Sequence, residues 1–153
     1  MINRLQREFS NYPAQFWLMF VGMALAMTGV TIIWPFMMIY ASDILSLSLA
    51  AAASLMSINA ATGLASSILA GPIVDRLGRK WAMVISLVGN GLSYLLLNQA
   101  DSYLAFAVIL GISGVFSPLY RVGSDAMLAD LFPMKKRAEA FALYRMARNI
   151  GVA

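Results

Sequence analysis

The decapeptide Gly71-Pro72-Ile73-Val74-Asp75-Arg76-Leu77-Gly78-Arg79-Lys80 crowds four charges into its last six positions. The sequence on either side carries none: residues 44–74 lead into those charges, and residues 81–100 follow them, without one Asp, Glu, Lys or Arg. A helix needs about 20 apolar residues to cross a hydrocarbon core of roughly 30 Å, and each flank supplies them. The decapeptide therefore reads as a short polar reversal between two antiparallel membrane helices. Asp75 suits the first position of a type I turn and Gly78 the fourth, while Arg79 and Lys80 hold the turn in water.

Beyond these flanks lie two more uncharged runs, residues 9–42 and 102–120, the second continuing mostly apolar to Phe132. Spans are expected at about 14–40, 46–70, 80–99 and 102–128, with a fifth helix starting at about 139. Composition agrees, since 61% of the 153 residues are hydrophobic and 12% charged, with mean hydropathy +0.76. Soluble domains average roughly 45–50% apolar and about 25% charged, so a soluble enzyme is excluded. The chain has no Cys and no His, which removes thiol catalysis, Cys/His zinc sites and imidazole acid–base chemistry. The net charge of +4 sits in short clusters between apolar runs, with no continuous basic face, so no nucleic-acid partner is expected.

Those clusters orient the chain. Arg4 and Arg7 precede span one, Arg76, Arg79 and Lys80 follow span two, and Lys135, Lys136 and Arg137 follow span four. The remaining two connections offer only Asp43 and Asp101. Basic loops stay in the cytoplasm, which places the N-terminus and all three clusters there and makes this a multi-pass protein of the cell (cytoplasmic) membrane. A cleaved signal peptide has an apolar core of about 7–15 residues, too short for the first run. Tyr12 and Trp17 are expected at the inner interface of span one, and Trp81 at that of span three. The sequence stops at Asn149-Ile150-Gly151-Val152-Ala153 inside a helical pattern, and is read as the front part of a longer polypeptide. The alternative is a four-span protein with an amphipathic tail.

Helices in lipid associate through small residues. Ala53, Ser57 and Ala61 form one stripe in span two, and Gly63, Ser67 and Gly71 a second; Gly89 and Ser93 serve span three, Gly111 and Gly114 span four. Pro35 and Pro118 interrupt spans one and four, each removing a backbone hydrogen bond. Arg121 lies about 12 Å from the cytoplasmic end of span four, where a charge costs on the order of 2.5–3.5 kcal/mol. Asp125 follows one turn later on the same face. Two roles stay open for the pair: mutual neutralisation, or lining a polar pathway for substrate or proton. Arg145 and Arg148, early in the fifth helix, are placed to snorkel to the interface. Asn59, Thr62 and Asn90 are the other polar candidates for a cavity.

The string Gly71, Asp75, Arg76, Gly78, Arg79, Lys80 resembles the loop signature of the major facilitator superfamily, at the right spacing and after the second span. Asp130-Leu131-Phe132-Pro133-Met134-Lys135-Lys136-Arg137 and Tyr144-Arg145-Met146-Ala147-Arg148-Asn149-Ile150-Gly151 are also similar to that family. The resemblance implies an all-α integral membrane fold: residues 1–153 would be a partial N-terminal six-helix domain, four transmembrane helices plus the start of a fifth, of a twelve-helix transporter. It implies two six-helix halves around a site that opens to each side in turn, the missing C-terminal half being the main partner besides the lipid bilayer and a small-molecule substrate. The loop signature would act as a latch, Asp75 facing a helix N-terminus of the other half and Arg79 pairing with Asp130. No cofactor is implied; a proton gradient would supply the energy.

The sequence departs from the drug–proton antiporters of this family in two places. Ala107-Val108-Ile109-Leu110-Gly111 lacks the arginine that many of them carry, and span one holds no carboxylate. Gly151 matches the opening of their Gly-Pro signature in the fifth helix. The leading expectation is proton-coupled efflux of a small, mostly apolar compound, for which the eleven methionines offer adaptable surface. Nutrient uptake and a non-transport four-span protein are the alternatives. Gly89-Asn90-Gly91 lacks the third glycine and preceding strand of a phosphate loop, so no enzyme is expected.

Overall fold

The computed structural model describes residues 12–152, and among them every element is helical. The order is α1 Ala14–Leu45, α2 Leu49–Leu77, α3 Arg79–Leu97, α4 Tyr103–Leu131 and α5 Met134–Val152. By length and composition, α1 to α4 can each cross a membrane. Arg4 and Arg7, expected to anchor the N-terminus, lie outside the described residues, as does Ala153.

Several helices overrun the expected spans. α1 continues to Leu45 rather than about 40, α2 to Leu77 rather than about 70, and α4 to Leu131 rather than about 128, while α5 begins at Met134 rather than about 139. Charges end the hydrocarbon-spanning part of a helix, but not its backbone hydrogen bonding, which persists in water. At α5 the true boundary is Pro133, which lacks an N–H and disfavours helix at the residue before it. Its carbonyl accepts the Lys136 N–H at 2.9 Å, opening the new helix.

The largest correction concerns residues 75–78, which do not form the expected type I turn. α2 runs straight through Pro72, Asp75 and Arg76, and the reversal falls on Gly78 alone. Gly78 donates to the Val74 carbonyl at 2.9 Å and accepts from the Ala82 N–H at 3.0 Å, so one residue ends α2 and starts α3. Its φ of 81° and ψ of 144° lie where a Cβ is strongly disfavoured. The opposite connection uses a Schellman closure: Leu47 N–H donates to Ser42 O at 3.0 Å and Ser46 N–H to Asp43 O at 3.4 Å. Ser46 takes the left-handed conformation at φ 50°, and Ser48 then caps α2 by accepting the Ala51 N–H.

The chain divides into two compact units, Met1–Ile33 with Leu128–Ala153, and Trp34–Met127. In the first, α5 presents Ala140, Tyr144, Ala147 and Gly151 as one buried face. Gly151 lies so close to the backbone of Ala24 and Thr28 in α1 that a Cβ there would overlap the Ala24 carbonyl. Phe16 and Phe132 meet edge to face at 5.4 Å between ring centroids, and Tyr12 lies against both, tilted on Phe16 and edge to face on Phe132. Tyr12 and Trp17 thus belong to an aromatic cluster at the start of α1.

The second unit is organised on α4, which packs against both α2 and α3. Gly114 faces Asn59 and Thr62, and Gly63 faces the Gly114 carbonyl. Gly89 of α3 meets the Phe116 ring, and Gly123 meets the Arg79 carbonyl and Met83. Of the two expected stripes in α2 only Gly63 makes a close approach: Gly71 has nothing within 4 Å of a Cβ, Ser67 bonds to Leu64 of its own helix, and Ala53, Ser57 and Ala61 are exposed. Small residues were legible as packing material, but the face of α2 that meets α4 is Asn59, Thr62, Gly63 and Ser66, which is neither stripe.

Candidate functional site

The decapeptide's geometry rests on a small apolar anchor. Ala70, Val74, Ala82 and Leu119 are buried together, with Ile73, Phe116 and Val122 against them. Val74 and Ala82 flank Gly78 in sequence, so their burial ties both arms of the reversal to α4. The charged residues between them are left outward: Asp75, Arg76 and Lys80 are exposed, and Arg79, first residue of α3, is half-buried. Gly71 is half-buried one turn before Asp75. Asp130 is exposed in the last turn of α4, in the other unit. The reversal therefore offers one acidic and three basic side chains on a buried apolar base, suited to electrostatic contacts. Among the described residues no group of His, Cys, Asp and Glu could hold a metal ion.

Higher on α4, Arg121 and Asp125 are both exposed and one turn apart, opposite in character to the buried Leu119, Gly123 and Ser124 around them. The Ser124 hydroxyl donates to the Arg121 backbone carbonyl at 2.9 Å, a bond within α4.

The other polar candidates are used in packing. Asn59 donates its amide to the Leu110 carbonyl at 2.8 Å, joining α2 to α4. The Thr62 hydroxyl turns back to the Ile58 and Asn59 carbonyls, each at 3.0 Å. Asn90 accepts from the Ser113 hydroxyl at 2.8 Å, joining α3 to α4.

Four buried serines carried no sequence expectation: Ser66, Ser86, Ser113 and Ser124. Two brace α4 where Pro118 withholds the N–H that the Gly114 carbonyl would otherwise receive. Ser66 of α2 donates to Val115 O at 2.8 Å and Ser86 of α3 to Phe116 O at 2.5 Å. The two bonds fall on the carbonyls that follow Gly114, so they tie the interrupted stretch of α4 to its neighbours and do not replace the lost bond itself. The usable signal was Pro118 itself, which announces that nearby hydroxyls are wanted, without saying from which helix.

Comparison with known proteins returns the same family over nearly the whole chain. The family model described as Major Facilitator Superfamily matches residues 19–153. The Na(+), Li(+), K(+)/H(+) antiporter of Planococcus maritimus is 32% identical over 138 residues, covering 86% of this chain and 32% of that protein. Two MFS-type transporters of Bacillus subtilis (strain 168), YqjV and YhjO, both uncharacterized, are 28% and 27% identical over 136 and 143 residues. They are covered to 33% and 36% of their length, with 89% and 94% of this chain aligned, so the chain spans about a third of the curated relatives it matches. No solved structure matches it significantly. With the family model spanning all but the first 18 residues, and with membrane-length helices joined by the signature reversal, the chain belongs to the Major Facilitator Superfamily.

Proposed function

We propose that this chain is the leading part of a secondary transporter that moves a small molecule across the cytoplasmic membrane by alternating access, driven outward by exchange with protons. Residues 75–80 then face the cytosol, and the N-terminus with them. The observation that carries the reading is Asp75: it stands exposed on the last turn of α2, directly beside a reversal that turns on Gly78 alone and is anchored through Val74 and Ala82. A carboxylate so held is fit to dock on the positive N-terminus of a helix from the other half of the transporter, an interaction worth about 0.3–2 kcal/mol. That contact closes the cytoplasmic side and breaks as the protein turns inward. Arg121 and Asp125, exposed on α4, line the polar pathway. Asn59 supports that pathway by tying α2 to α4.

A second cargo is favoured by one relative. The Planococcus maritimus protein is named as an exchanger of Na(+), Li(+) and K(+) for protons, and a carboxylate such as Asp125 is the group that cation–proton exchange requires. The full-length protein in everted membrane vesicles separates the cases. Dissipation of a proton gradient on adding NaCl, LiCl or KCl identifies cation exchange; dissipation only on adding a lipophilic cationic dye identifies efflux of an apolar compound. In either case Asp75→Asn should reduce transport at least tenfold with normal membrane levels, and Arg121→Ala should impair it without loss of protein. Undiminished transport by Asp75→Asn removes the latch.

A further inference from the structure

Leu110, Gly114, Ser117, Arg121 and Asp125 follow one another at intervals of three or four residues, so they form one strip along α4. The outer part of the strip is covered by α2. Asn59 donates to the Leu110 carbonyl, and Gly114 lies against Asn59 and Thr62. Further inward α2 changes sides: Ala70 and Val74 are buried with Leu119, and Val122 packs against them, neither of which belongs to the strip. The crossing of the two helices therefore uncovers the strip where it turns polar, at Ser117, Arg121 and Asp125, all exposed. The other open strip of α4, Leu104, Val108, Ile112 and Val115, is wholly aliphatic.

Ser117 is the midpoint of α4, whose 29 residues rise about 43 Å, and Arg121 stands one turn, about 6 Å, inward of it. A helix of this length overreaches a core of roughly 30 Å at both ends, which puts the pair near the midplane, away from lipid headgroups. Secondary transporters bind cargo at that depth. Neither side chain is committed within the bundle. The hydroxyls of Ser54, Ser57, Thr62, Ser67, Ser93 and Ser124 donate to carbonyls of their own helices. Among the described residues the Ser117 hydroxyl has no such partner and Arg121 no ion pair, whereas Asp125 is engaged. A hydroxyl and a guanidinium one turn apart are a set of donors, which lipid tails leave unsatisfied and an oxyanion satisfies. We propose that Ser117 and Arg121 hold the carboxylate, sulfonate or phosphate of a small organic anion, with Asp125 marking the inner limit of the site. The proposal rests on the transporter reading and adds organic anions to the dye and the metal cations as a cargo class.

Equilibrium binding to the purified full-length protein in phosphatidylcholine nanodiscs tests this. The probes are tritiated 1-naphthoate, 1-naphthalenesulfonate and 1-naphthyl phosphate, with 1-naphthamide as the uncharged isostere. At least one anion should bind about ten-fold more tightly than the amide, or better. Arg121→Gln should erase that preference by weakening the anion while leaving the amide unchanged, and Arg121→Lys should restore most of it. Ser117→Ala should weaken the anion by about three- to ten-fold, the loss of one hydrogen bond to a charged group. Should the Arg121 variants not fold, the Ser117→Ala loss must still be seen, since that change removes one exposed hydroxyl and no charge. Absence of binding by every anion, or a preference indifferent to either substitution, overturns the proposal. So does equal binding of anion and amide, the result expected if a carboxylate from the rest of the polypeptide were seated on Arg121. The measurement needs neither a proton gradient nor transport. Its failure leaves the transport reading intact, and anion binding without proton exchange in vesicles would overturn that reading and not this site.

Discussion

Single glycines carry much of the precision in this protein, and their neighbourhoods separate them sharply. At Gly114 a Cβ would collide with the Thr62 hydroxyl and the Asn59 carbonyl, the latter a backbone atom that cannot swing aside. At Gly91, on the open face of α3, a Cβ meets nothing within 4 Å. Gly114→Ala should therefore cost about 1–3 kcal/mol through overpacking. Gly91→Ala should be neutral or gain up to about 1 kcal/mol, because alanine is the better helix former. Thermal melting of the two purified variants in detergent checks both signs, and equal shifts would contradict the helix contacts described. Gly114 was legible as a small residue in a span, and Gly91 looked the same. Only the neighbouring helix tells them apart.

Among the elements, α4 is the one whose stability depends most on others. Pro118 costs it an internal hydrogen bond, and Ser66 and Ser86 lend hydroxyls to the next two carbonyls from helices on either hand. Interhelical bonds of this kind average about 0.6 kcal/mol and reach about 1.7. Ser66→Ala and Ser86→Ala should each destabilise by such an amount. In a Pro118→Ala background, where α4 recovers its own bond, the losses should shrink, giving a coupling of at least about 0.5 kcal/mol in a double-mutant cycle. Strict additivity would show that the serines are indifferent to the proline. Pro118 and Pro35 were evident as helix interruptions from sequence. Pro72 was read as part of a loop, because a proline beside charges ordinarily ends a helix. It is tolerated here near the end of α2, where Val74 is held in the core and the helix has only one turn left to run.

At the largest scale, the alternation of basic and acidic connections makes a prediction that cysteine labelling tests, since residues 1–153 hold no cysteine of their own. Ser46→Cys lies in the connection between α1 and α2, and Lys80→Cys at the start of α3, after Gly78. In intact cells an impermeant maleimide should label the first and spare the second, with both labelled once the membrane is opened. The reverse pattern would invert the topology and place the latch on the wrong side. Each site is exposed, so failure to label cannot be attributed to burial.

Membership in the major facilitator family and the membrane-length helices were readable from the linear order of residues, because both depend on local facts. Runs without charge set where lipid can be, and the spacing of Gly71, Asp75, Arg76, Gly78, Arg79 and Lys80 is a property of one short segment. The helix ends were less legible, since backbone hydrogen bonds continue past the last apolar residue and no charge marks where they stop. What required the tertiary structure was every statement about faces. Ser66 and Ser67 are adjacent, yet Ser66 bonds to α4 and Ser67 to its own helix at Leu64. A rotation of about 100° per residue separates them, and composition contains no term for which way a helix is turned.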